Sequence, residues 1–202
     1  MGKKIGVFGG SFDPIHYGHL LMAEQCREQA QLDVVIFVPA HQSPLKSHAP
    51  LAEPRQRLEM LKLATSGHES FAVDTRELDR QGASFTVDTL RELSAQFKDD
   101  RLFLIVGSDA LVDFAKWREP AEILKLALPL VVSRPGEVAS LESVRPFVSS
   151  ARWLEAQGGR IESPLSNLSS SDMRRRIHDD RSIRYMTPRA VEMYIRTSGL
   201  YR

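Results

Sequence analysis

The sequence predicts a doubly wound parallel α/β sheet, and three observations predict it. Short continuous apolar runs recur along the chain, segments with helical spacing alternate with them, and the first run ends in a glycine pair. An unbroken apolar run bounded by turn residues is how a strand buried on both faces reads. Alternation of such runs with helices requires parallel strands joined by right-handed crossovers, a Rossmann-like arrangement with helices on both faces of the sheet.

Ile5-Gly6-Val7-Phe8 is the first strand, and Gly9 stops it. After Pro14, the positions from His19 through Ala30 combine helical spacing with good helix formers. Residues 34–38 read as a second strand, 55–64 as a helix behind Pro54, and Phe71-Ala72-Val73 as a third strand, which completes a βαβαβ unit. The pattern continues with a helix over 86–97, a strand over 102–106, a helix over 121–126 and a strand at Leu130-Val131-Val132. Beyond Arg134-Pro135-Gly136 it weakens to a helix over 141–147 and a short strand at Arg160-Ile161-Glu162. Two helices close the chain, over 170–178 and 188–197, the second with Pro188 in its first turn, where the missing amide hydrogen does no harm. No repeat or linker divides the chain, so residues 1–202 read as a single domain with a small helical C-terminal part from residue 165.

Composition narrows the function. A chain of 202 residues with 42% hydrophobic and 26% charged side chains matches an ordered globular protein with a real core. A net charge of +1 gives no broad basic field, which argues against nucleic acid as a partner, and any phosphate must be gripped locally. The densest basic stretch, Arg174-Arg175-Arg176, reads as either a solvated helix face or such a local grip. The single cysteine, Cys26, excludes a disulfide framework and a cysteine-rich zinc site and suits a reducing compartment. The apolar run after Lys3 and Lys4 is too short for a signal peptide or a membrane span, so the expectation is a cytoplasmic protein without a membrane partner.

The densest constellation of chemically useful residues is Gly9-Gly10-Ser11-Phe12-Asp13-Pro14-Ile15-His16-Tyr17-Gly18-His19, where the first strand turns into the first helix. In open α/β sheets ligands sit beyond the carboxyl ends of the strands, and a helix N-terminus there offers amide hydrogens and a positive dipole end to an anion. Gly9 and Gly10 let backbone approach a phosphate, and Pro14 stiffens the loop. His16 and His19, three residues apart near a helix start, can present two imidazole donors on one side. The loop has neither the Gly-x-x-x-x-Gly-Lys-Ser/Thr pattern of a phosphate-loop nucleotidase nor the Gly-x-Gly-x-x-Gly spacing of a dinucleotide-binding dehydrogenase. A histidine pair could also hold zinc, but no cysteine and no third ligand lies near it in sequence.

With His16-Tyr17-Gly18-His19 at its centre, this stretch resembles the signature of the HxGH nucleotidylyltransferases. Leu168-Ser169-Ser170-Ser171-Asp172-Met173-Arg174 resembles the second signature of that superfamily, with Ser171 where threonine is usual. Ser170 or Ser171 could cap the following helix while offering a hydroxyl to phosphate, and Arg174 lies one turn along with a planar fork suited to phosphate. The resemblance implies that His16, His19 and Arg174 are catalytic and that Gly9, Gly10, Ser11, Phe12, Ser170 and Ser171 bind ATP.

Three internal segments are similar in particular to the bacterial nicotinate mononucleotide adenylyltransferases. Ser84-Phe85-Thr86-Val87-Asp88-Thr89-Leu90 is one, read on its own as a helix start capped by Ser84 or Thr86. Val106-Gly107-Ser108-Asp109-Ala110-Leu111, followed by Trp117, is the second, although a tryptophan there also suits core packing. The third, Val38-Pro39-Ala40-His41-Gln42-Ser43-Pro44-Leu45-Lys46, departs from the pattern at Ser43 and Leu45 but keeps Lys46. By this resemblance Thr86 meets the pyridine carboxylate, Asp109 a ribose hydroxyl, Trp117 the pyridine ring and Lys46 the acceptor phosphate, with Arg134 on the same side. Arg118 stands where relatives often have an aromatic residue.

The family implies adenylyl transfer from ATP, with Mg2+, to nicotinic acid mononucleotide. No cluster of carboxylates marks a dedicated protein site for the metal. Alternatives are a sister enzyme acting on nicotinamide mononucleotide or phosphopantetheine, and a nucleotide-binding module without turnover. The oligomeric state is left open, a homo-oligomer included.

Overall fold

The computed structural model describes residues 2–44, 49–133, 140–164 and 167–202. Six parallel strands, β1 (Lys4–Gly10), β2 (Val34–Pro39), β3 (Phe71–Val73), β4 (Arg101–Gly107), β5 (Ala127–Ser133) and β6 (Arg160–Glu162), form one sheet in the order β3-β2-β1-β4-β5-β6. The order reverses between β1 and β4, so their carboxyl ends flank a crevice with no strand to fill it.

Alternation within each strand splits the core in two. Phe8, Val35, Phe37, Phe103 and Ile105 pack on one face with Ala23 and Cys26 of α1 (Tyr17–Gln29) and Met60 and Leu61 of α2 (Pro54–Thr65). Ile5, Val7, Ile36, Val38, Leu102, Leu104 and Val106 pack on the other. Their partners are Val87, Leu90 and Leu93 on one helix, and Ile123 and Leu124 on another. After β3 come α3 (Arg76–Arg80) and then the first of these, α4 (Thr86–Gln96). After β4 come α5 (Ser108–Leu111), a 3-10 turn (Phe114–Lys116) and the second, α6 (Pro120–Leu126). Burial on both faces is why the strands read as unbroken apolar runs.

The chain ends with α7 (Ser150–Gln157), β6, α8 (Ser170–His178) and α9 (Arg189–Thr197). Met173 of α8 and Val191 and Ile195 of α9 join the core cluster that contains Phe8. Five local expectations change. The helix over 141–147 is replaced by turns and a 3-10 turn (Arg145–Phe147), because Pro146 cannot donate inside a longer helix; α7 starts only after Ser149, whose side chain accepts the Arg152 amide. Strand β5 begins three residues early, at Ala127, and runs through Pro129. Pro188 is the N-cap of α9 rather than its first-turn residue. β1 extends through Gly10 because both glycines pair with β2. α1 starts at Tyr17, which makes His16 its N-cap.

Candidate active site

Beyond the carboxyl ends of β1 and β4 lies a cleft of about 1080 Å³. His16, His19, Gly9, Gly10, Ser11, Phe12, Thr86, Asp109, Trp117, Ser170, Ser171 and Arg174 all line it. Lys46 and Arg134, expected on the acceptor side, lie outside the described residues.

The two histidines form a reciprocal cap. The His19 amide donates to Nδ1 of His16 and the His16 amide to Nδ1 of His19, each at 3.3 Å, and the rings stack with centroids 3.7 Å apart. A nitrogen that accepts from an amide carries no proton, so in each neutral ring the proton sits on Nε2, the atom that can donate to an anion. With His19 so engaged and the Tyr17 amide bonded to the Met186 carbonyl, the end of α1 offers imidazoles more than bare amides. His16 is buried, and burial holds its pKa down to about 4. The neutral form is thus favoured in the folded state. As the pH falls from 6.5 to 4 the unfolded chain takes up a proton that folded His16 resists, and stability declines by up to about 3 kcal/mol at one pKa unit per 1.36 kcal/mol. Denaturant titrations of the ligand-free protein across this window, beside His16→Gln, check it: the variant's decline should be shallower.

The glycine pair has two different reasons. A Cβ on Gly10 would come within 2.9 Å of the Phe12 ring, which is buried with φ 46° and edge-on to both Phe8 and His19. A Cβ on Gly9 would meet nothing within 4 Å, although Gly9 lines the cleft. Protein packing therefore does not demand glycine at 9, and a side chain there would project into the space of the cleft. Gly9→Ala is expected to melt within a few degrees of the parent and to raise KM for ATP about tenfold, the cost of one displaced contact of roughly 1.4 kcal/mol.

The C-terminal part completes the wall. Ser169, rather than Ser170 or Ser171, caps α8 by accepting the Asp172 amide at 3.1 Å, because its extended backbone precedes the first helical turn. The next two hydroxyls are thereby left for other partners. Ser170 donates to the Pro14 carbonyl at 2.8 Å; Arg174 donates to the Asp13 carbonyl at 2.7 Å and to Ser171 Oγ at 3.2 Å. Of the three consecutive arginines only Arg174 lines the cleft, since Arg175 pairs with Asp172 and Arg176 donates to the Ser182 carbonyl.

On the opposite wall neither Ser84 nor Thr86 caps α4. Phe85 is the N-cap with no side-chain bond, while Ser84 Oγ accepts the His41 amide at 2.9 Å. Thr86 opens the helix and faces the cleft. Asp109 lies in the first turn of α5. Trp117 packs against Phe114, 5.4 Å between centroids, as the core reading expects, and also lines the cleft, where its Nε1 is buried without a protein acceptor. Arg118 holds its guanidinium 4.8 Å above the Phe85 ring and 3.4 Å from Asp88, bridging the two segments in place of an aromatic side chain.

Three side chains that the sequence reading left without a role belong here. Asp13 is buried, and its carboxylate accepts the Leu51 and Ala52 amides at 2.8 and 3.1 Å. Arg57 is fully buried and donates to the carbonyls of Ser11, Ala40, Ala52 and His41, tying the loops after β1 and β2 together. Glu77, whose pKa burial pushes up, lines the cleft and accepts from Thr89 at 2.5 Å. None carries a local signal: Arg57 sits in an amphipathic helix where arginine is ordinarily solvated, and Glu77 in a helix too short to announce itself.

Comparison with known proteins identifies the family. Residues 7–176 match the model of the cytidylyltransferase-like family. A Roseiflexus protein named as a probable nicotinate-nucleotide adenylyltransferase is 44% identical over 98% of this chain and 98% of its own. A Thermus thermophilus protein of the same name is 45% identical over 98% of this chain and all of its own. The Plasmodium falciparum nicotinic acid mononucleotide adenylyltransferase, solved in complex with NaAD, superposes with a TM-score of 0.73 over 98% of this chain and 97% of its own, at 19% identity, and so shares the fold. With its two signatures facing each other across one cleft, the chain belongs to the cytidylyltransferase-like family and, within it, to the nicotinate-nucleotide adenylyltransferases.

Proposed function

We propose that the chain joins the adenylyl group of ATP to nicotinic acid mononucleotide, forming nicotinic acid adenine dinucleotide and pyrophosphate, a step of NAD synthesis, in the cytoplasm. The observation that carries this reading is the meeting, in one cleft at the β1–β4 reversal, of the His16–His19 cap with Ser170, Ser171 and Arg174. These are donors for a triphosphate. Thr86, Asp109 and Trp117 on the opposite wall supply what a pyridine ribonucleotide needs: a helix start, a carboxylate for ribose and an aromatic face.

In the reaction an oxygen of the acceptor's 5′-phosphate attacks the α-phosphorus of ATP in line, the bond to the β-phosphate breaks, and pyrophosphate leaves. The nucleophile is already an anion, so no protein base or covalent intermediate is required. The chain's contribution is placement and charge. Nε2–H of His16 and of His19 and the Arg174 fork hold phosphate oxygens as negative charge moves toward the leaving group. Gly9, beside them, leaves room for the phosphate chain. The substrate is MgATP; among the described residues no three His, Cys, Asp or Glu side chains gather as a metal site, and the ion is proposed to travel with the nucleotide.

Pyrophosphate release from MgATP, with nicotinate mononucleotide, nicotinamide mononucleotide and phosphopantetheine offered separately, tests the reading. Preference for the nicotinate acceptor is expected. Preference for another would replace the substrate, and ATP binding without release under any condition would make the chain a nucleotide-binding module.

A further inference from the structure

Tyr201, the penultimate residue, lies far from the cleft in sequence and does not line it. It is brought to Asp13, which does line the cleft, by the way α9 ends. Thr197 is the last helical residue, Ser198 the C-cap, and Gly199, at φ 63°, takes the left-handed conformation. The Leu200 amide then bonds to the Ile195 carbonyl at 3.0 Å and the Gly199 amide to Arg196, the paired bonds that turn a chain back over its own helix. The reversal seats Leu200 and Tyr201 against the core cluster around Phe8.

There the Tyr201 hydroxyl donates to Oδ1 of Asp13 at 2.6 Å. Burial is the main reason the hydroxyl's pKa is pushed upward, with its bond to the carboxylate next, so the phenol stays a donor. The Asp13 carboxylate is the junction of four parts of the chain. The Leu51 and Ala52 amides bind it from the approach to α2, Tyr201 from the C-terminus, and Arg174 stands 3.8 Å from Oδ2 while bonding the carbonyl of the same residue. Three residues on, the same loop carries His16.

We propose that Tyr201 is a positioning residue for the transfer reaction: by fixing the Asp13 carboxylate, it sets the loop that aims His16 and anchors Arg174. Its effect on turnover rests on the adenylyl-transfer reading above; its effect on nucleotide affinity does not. A bond to a buried carboxylate is among the stronger ones, and losing it lets the junction relax without emptying it, since both amides remain.

Tyr201→Phe keeps the ring and its packing and removes only the donor. It is expected to lower kcat about tenfold and raise KM for ATP severalfold, leaving KM for the acceptor unchanged, the scale of one charge-assisted hydrogen bond. Leu200→Ala, which thins packing at the same chain end without touching Asp13, should lower the melting temperature at least as much yet keep kcat. Asp13→Ala combined with Tyr201→Phe should be no slower than Asp13→Ala alone, because removing the carboxylate already removes the acceptor of the Tyr201 hydroxyl. Parental kcat and KM for ATP in Tyr201→Phe, or an equal loss of kcat in Leu200→Ala, would overturn the proposal. Equilibrium titration of MgATP separates the two readings. If the parent protein releases no pyrophosphate with any acceptor, the proposed function fails, and weaker ATP binding by Tyr201→Phe still supports the positioning role while equal binding overturns it.

Discussion

His19→Ala is expected to lower turnover by about two to three orders of magnitude, the scale of removing one preorganised donor to a transition-state charge. The substitution removes more than that donor. His19 Nδ1 accepts the His16 amide, so part of the loss comes from the cap, which is worth about 1 kcal/mol of stability. The stacked partner ring also loses its neighbour, 3.7 Å away. Asparagine at this position restores an acceptor near the backbone but not a donor at the Nε2 position. His19→Asn should therefore recover much of the lost melting temperature and little of the lost kcat. Single-turnover rates at saturating ATP check this, and near-parental turnover in a folded His19→Ala protein would remove His19 from the chemistry.

The second large effect is on stability. Arg57→Met is expected to cost about 3–5 kcal/mol in denaturant unfolding, as when one member of a buried ionic network is removed. Methionine matches much of the volume, so the loss is not mainly a cavity. The guanidinium satisfies four carbonyls on the segments after β1 and β2, and its charge, which burial disfavours and Asp13 supports, has no hydrated alternative in the folded state. Two of those carbonyls belong to Ser11 and Ala40, on cleft-lining residues, so any folded variant should also bind ATP less tightly. A loss below about 1 kcal/mol, the figure for an exposed ion pair, would show that water replaces the guanidinium.

Much of this was legible in the sequence because it is local or periodic. Strands buried on both faces announce themselves as apolar runs, and the alternation with helices fixes the sheet as parallel, so β2, β3, β4 and β6 fall where expected and β1 differs only in running on through its glycines. The two signatures were legible because their residues crowd two loop-to-helix junctions. Capping was less so: at Ser169-Ser170-Ser171 three hydroxyls compete and only backbone conformation selects the first, while at Ser84 the hydroxyl is drawn to the His41 amide, 43 residues away. The roles of Asp13, Arg57 and Tyr201 could not be read at all. Each is defined by partners in other segments, and nothing in the amphipathic pattern of α2 separates a buried arginine fork from a solvated one.

The long reach of the hydrogen bonds that hold the first loop bears on when the protein becomes active as it is made. Ser170 meets Pro14 across 156 residues, Thr187 meets Ile15 across 172, and Tyr201 meets Asp13 across 188. A growing chain can pair β1 with β2 early, but the segment bearing the histidines waits for partners made 156 to 188 residues later. Contacts of such separation also form late in folding, after the entropy of closing large loops has been met. A chain that has not yet reached these partners should thus hold part of its sheet while the loop between Asp13 and His16 still lacks its anchors.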